Sequence, residues 1–275
     1  IASPHHRRPS RRMSIAAGLL LYAAVLGWFG RGPLMRLTRS GINPKLGVTA
    51  WLTAVTAVIA AWLAALVVLI LDALDAIPSG PVWTLCLELL GYSGHLDMAR
   101  PLAATTGTAL IVAALVVTFS VARRILRTLR VLHSASQQHA MAARVAGSPT
   151  RWRDVVVVQA DRPAAYCVAG RPRAIVVTSA ALARLRDDQL TAVLAHEQAH
   201  LRGRHQHILM LLRATAAGLP RLPLIAAGPD TVGRLLEMCA DDAAARRFGR
   251  QAVLGGLFTL AGAGPVTALS AADVA

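Results

Sequence analysis

From Val48 to Leu71 the chain runs 24 residues without a charged side chain. Hydrocarbon offers no water to the backbone, so such a run must close its own hydrogen bonds, and a helix does so. At about 1.5 Å per residue it is long enough to cross a bilayer. Two further stretches read the same way, Ser14 to Gly30 and Pro101 to Ala122. Across all 275 residues, 55% are hydrophobic and only 16% are charged. That balance is too apolar for an ordinary soluble domain. The expected fold class is a mainly α membrane protein with three or more transmembrane helices and a small α+β soluble part.

Charge sets the expected orientation. Residues 31–47 carry Arg31, Arg36, Arg39 and Lys45 and no acid, whereas 72–100 carry Asp72, Asp75, Glu88 and Asp97 against Arg100. Arg123, Arg124, Arg127 and Arg130 follow the third stretch. Cytoplasmic loops are enriched in arginine and lysine. Loop 31–47 and everything beyond Arg123 are therefore expected in the cytoplasm, and loop 72–100 outside, in a multi-pass protein of the cell membrane. The basic segment 1–13 runs against that rule, and Met13 is expected to be the native start. The net charge of +15 is accounted for by topology. No basic patch is interleaved with aromatics in the manner that reads bases, so no direct nucleic acid binding is expected. Cys86, Cys167 and Cys239 are too few and too scattered for a disulfide framework.

The domain plan follows from these spans. Segment 1–13 precedes a membrane domain at 14–122, with spans 14–30, 48–71 and 101–122. A juxtamembrane helix and linker occupy 123–153, broken at Gly147-Ser148-Pro149. Residues 154–275 form the soluble domain. Within it, 154–160, 165–169 and 174–178 read as strands. Ser179 is the expected N-cap of a helix at 180–186, and Asp187 that of the next helix. The apolar stretch 207–228 tempts a fourth span, but Arg213, Pro220 and Pro223 disfavour it. It is expected to continue as a helix and then turn back at the membrane. Residues 252–261 read as a short apolar helix packed on the soluble domain.

His196-Glu197-Gln198-Ala199-His200 spells HExxH at the end of a helical stripe of Leu190, Val193, Leu194 and Leu201. Residues i and i+4 share a helix face, so the two imidazoles can hold one zinc ion, with Glu197 beside them to act on a water. A catalytic zinc takes three protein ligands and leaves one position open. Glu237 is the expected third ligand. Asp241, four residues on, shares its face and can accept a hydrogen bond from the far nitrogen of a ligating histidine. If 207–228 crossed the membrane once, Glu237 would lie on the opposite side from the histidines. His205, His207 and Arg247 are candidates for an oxyanion or substrate contact.

The run from Ala192 to His200, followed by Glu237 and Asp241, resembles the gluzincin-type integral-membrane metallopeptidases. Two relatives fit, the BlaR/MecR antirepressor type and the HtpX and CAAX-protease type. The matching motifs span about residues 154–250. The pattern Ile175-Val176-Val177-Thr178-Ser179, then Leu182 and Leu185, also resembles the strand and helix that precede the metal helix in these families. The resemblance implies a zincin-like domain binding one Zn2+ per chain and hydrolysing peptide bonds. In the BlaR/MecR type the substrate is a transcriptional repressor. A quality-control protease of the HtpX type is the alternative, and a non-catalytic zinc-containing membrane sensor is a third. No extracellular sensor domain of the BlaR kind is expected within these 275 residues. An exposed strand near 166–170 or 175–178 is expected to pair with an extended substrate. Expected partners are the lipid bilayer and a peptide or protein substrate.

Overall fold

The computed structural model describes residues 11–76, 99–152, 154–168, 170 and 173–262. The expected outer loop falls largely on 77–98, which lies outside them, as do residues 1–10 and 263–275. Among the described residues three helices are long and apolar enough to cross a membrane. They are α1 (Arg11–Phe29), α3 (Pro44–Ala76) and α4 (Ala99–Ala146). A short helix α2 (Arg31–Thr38) follows α1. Helices α1 and α3 are antiparallel, with the Arg12 guanidinium donating to the Leu71 carbonyl at 3.4 Å. Trp62 Nε1–H donates to Thr118 Oγ1 at 3.0 Å and ties α3 to α4. Helix α4 runs 48 residues without a break, so the third span and the juxtamembrane helix expected at 123–146 are one element.

A four-stranded sheet follows in the order β1-β2-β4-β3, from β1 (Ser148–Pro149), β2 (Val155–Val158), β3 (Ala165–Val168) and β4 (Ala174–Thr178). Strands β2 and β4 are parallel; β3 is antiparallel to β4. All five residues of β4 are buried, which fits an uninterrupted apolar run in a covered strand. Val176 and Val177 are fully buried, each worth roughly 1.5–3 kcal/mol. Helix α5 (Ser179–Arg184) leads to α6 (Asp187–Arg202), which lies against the sheet. Leu190 and Val193 of α6 enter one core with Val155, Cys167, Ile175 and Val177, and Leu194 and Leu201 pack at its margin.

The caps differ from expectation by one residue. Thr178, not Ser179, caps α5, its Oγ1 accepting from Ala181 N–H at 3.2 Å. The Ser179 hydroxyl is turned to the Ala160 backbone. At α6, Gln189 Oε1 accepts from Arg186 N–H at 3.1 Å. Asp187 therefore sits in the first turn, where its charge suits the helix dipole.

The stretch expected to turn back forms two helices, α7 (His205–Gly218) and α8 (Pro223–Phe248), joined by residues 219–222. Leu212 of α7 and Leu224, Ile225, Val232 and Leu235 of α8 share a core with Trp51, Val55 and Val58 of α3 and Ala23 of α1. Gly218 and Gly27 permit this approach. A Cβ at Gly218 would collide with Ile125 of α4, and one at Gly27 would press on Leu222. Packing thus crosses the 153/154 division, because the hairpin buries its apolar face against the long helices. Helix α7 has 14 residues, about 21 Å of rise. Glu237 lies the same distance into α8, so the returning helix brings it level with the end of α6. Helix α9 (Arg250–Ala261) then packs back on α6, with Gly256 against Val193.

Candidate metal centre

Helix α6 presents His196 and His200 one turn apart, and α8 supplies Glu237. His196 Nε2 and His200 Nε2 lie 3.0 Å apart. Glu237 Oε2 lies 3.4 Å from the first and 3.3 Å from the second. A tetrahedral ion with bonds of about 2.0–2.1 Å holds its ligand atoms about 3.3 Å apart. The three residues therefore fit a metal ion without rearrangement, and their donor set of two imidazoles and a carboxylate suits zinc.

The far nitrogens of both rings are engaged. His196 Nδ1 faces Asp241 Oδ1 at 3.0 Å. Both atoms are buried, and neither has an aligned hydrogen-bond partner. At that separation the carboxylate is placed to take Nδ1–H, and Nε2 is the nitrogen that faces the ligand cluster. Behind the other ring, His205 Nδ1 lies 2.9 Å from His200 Nδ1. His205 is buried, and burial, then the neighbouring His200, pushes it down to about 4. A neutral His205 can accept the proton of His200 Nδ1–H. Arg204 takes a left-handed conformation with φ 51°, which turns the chain so that His205 folds back over the end of α6. Gly203 leaves the space, since a Cβ there would strike His205 Nε2.

Charge balance in the cluster is tightly coupled. Burial works against a charged His196 ring, but its bonds to Asp241 and Glu237 outweigh that and push it up to about 10. Burial likewise works to raise Glu237, yet His196 and His200 hold it well below the usual carboxylate range. The Glu197 carboxyl is raised, by burial first, against the pull of both histidines. An ion held by His196, His200 and Glu237 would displace the proton that His196 otherwise keeps.

The site opens on a cleft of about 260 Å³. His196, Glu197 and Glu237 line one side; Pro163, Ala164 and Ala165 lead into β3 on another. Val253, Leu257 and Leu260 of α9 form an apolar wall.

His196, Glu197, His200, Glu237 and Asp241 are thus brought together. Of the three candidates for an oxyanion contact, none is among the residues lining the cleft. His205 stands behind His200. His207 is exposed on the first turn of α7. Arg247 lies ten residues beyond Glu237 on α8, about 15 Å along the axis, with its guanidinium 5.3 Å over the Phe248 ring. Sequence reasoning missed the apolar wall of α9 and the backing role of His205. The only local signal for His205 was the glycine at 203, two residues before it.

No curated protein and no solved structure matches the chain. Residues 128–227, which run from within α4 through the HExxH helix and stop ten residues short of Glu237, match the model of Peptidase family M48, a metallopeptidase family.

Proposed function

We propose that this chain is a membrane-bound zinc endopeptidase that holds one Zn2+ through His196, His200 and Glu237. The observation that carries the reading is the convergence of two Nε2 atoms and one carboxylate oxygen, with Glu197 beside them in an open cleft. When bound, zinc acidifies a water and polarises a peptide carbonyl. Glu197 takes a proton from the attacking water and passes it to the leaving amine. Asp241 and His205 hold the two imidazoles in the tautomer that keeps Nε2 free. Because β4 lies inside the sheet, β3 is the strand of the two expected candidates that offers an edge to an extended peptide.

The charge pattern supports a cytoplasmic site in the cell membrane. A soluble cytoplasmic regulator such as a transcriptional repressor is the substrate class proposed. The test uses the purified full chain in detergent with an unfolded protein as substrate. Cleavage should vanish with a chelator, return with zinc, and fall at least about a hundredfold in Glu197→Gln, with zinc retained. Wild-type turnover in that variant would remove Glu197 as the base. Peptide-end profiling of cells expressing the two forms separates a regulator from general clearance. A few cuts in one partner support the first, and scattered cuts in many unfolded membrane proteins support the second.

A further inference from the structure

The free edge of β3 does not stay open along its whole length. Thr178 N–H donates to the Ala164 carbonyl at 3.0 Å, and Ala165 stands opposite Val177. Antiparallel pairs alternate between hydrogen-bonded and non-hydrogen-bonded. Tyr166 and Val168 therefore turn their backbone groups to β4, and Ala165 and Cys167 turn theirs outward. Ile175, opposite Cys167, gives an independent check. Its N–H goes the other way, to the Asp154 carbonyl at 2.7 Å.

An added strand would thus pair at Ala165 and again at Cys167. At Ala165 the edge borders the cleft beside His196 and Glu197. At Cys167 the outward carbonyl is taken. Gln206, on the first turn of α7, donates its side-chain amide to that oxygen. The same Nε2 is 3.6 Å from Cys167 Sγ. We propose that Gln206 is a stop that ends the peptide-pairing edge of β3, so that a substrate pairs with Ala165 but is denied the carbonyl of Cys167. A peptide antiparallel to β3 meets Cys167 two residues before Ala165. The stop therefore limits recognition on the amino side of the cleaved bond, and Gln206 is a specificity-determining residue. This rests on the peptidase reading above.

The test compares two quenched peptides with the same cleaved centre, the longer extended by two residues on the amino side. For the zinc-loaded full chain, the ratio of kcat/KM, long over short, should be close to one. In Gln206→Ala it should rise about fivefold, the scale of one or two backbone hydrogen bonds gained. Gln206→Ser, too short to reach the carbonyl, should behave the same. A wild-type ratio already that high, or a ratio near one in both variants, would overturn the stop. Fluorescence anisotropy in a Glu197→Gln background reads the same ratio in affinity without turnover. The predicted affinity ratios together with no cleavage by wild type would uphold the stop and remove the peptidase reading.

Discussion

At the residue scale, the site depends on which nitrogen of each histidine carries a proton. Asp241 is placed to set this for His196, and His205 to set it for His200. Losing such a partner costs about 10–100-fold in metal affinity. His205→Ala should therefore weaken zinc binding by that amount in competition with a fluorescent chelator. Unchanged affinity would mean that His200 is oriented by packing alone. The proton held near His196 also makes a prediction. Its ring is pushed up to about 10, so below that pH an arriving ion must displace one proton. Zinc affinity should rise with pH, about tenfold per unit between pH 6 and 8. A flat profile would show that the metal-free cluster holds no such proton. Glu237 adds no slope in this range, because it is already ionised. The motif residues were legible because i, i+4 spacing on a helix translates directly into a shared face. His205 was not, because its place depends on the left-handed Arg204 and the space at Gly203.

Among the elements, the returning hairpin decides whether the site exists. Two helices of matched length, α7 and the first half of α8, carry Glu237 away from His200 and back. The turn-back was legible from the need to keep three ligands on one side. Its packing partners were not, since apolar residues of α7 and α8 match those of a lipid-facing helix as well as those of a core. The strand pattern had a similar limit. Both β3 and β4 read as strands, but only the order β1-β2-β4-β3 shows which of the two is an edge. Gly218 is a tight point of hairpin docking, closed against Ile125 of α4. Gly218→Val should separate the two and cost about 1–3 kcal/mol, the usual scale of overpacking. The check is a lower Tm in detergent together with reduced zinc retention. An unchanged Tm would mean that α4 yields without loss.

For the whole molecule, the helix that carries His196 and His200 and the helix that carries Glu237 are built on the helices long enough to span a membrane. The hairpin core with α1 and α3 makes the site inseparable from them. Orientation is therefore a property of the site as well as of the chain. Single cysteines at Ser40 and Asp161, both exposed, in a background free of Cys86, Cys167 and Cys239, should resist an impermeant maleimide on intact cells. They should label once the membrane is opened. Cys167 itself is a poor reporter because it is buried. Labelling from outside would place the site on the exterior. The most direct measurement is the zinc content of the full chain purified in detergent, wild type beside His200→Ala. Wild type should carry about one zinc per chain, and His200→Ala should lose most of it, as expected of a three-ligand site deprived of one ligand. Full zinc in His200→Ala, or none in wild type, would contradict the assignment of His196, His200 and Glu237 as a zinc centre.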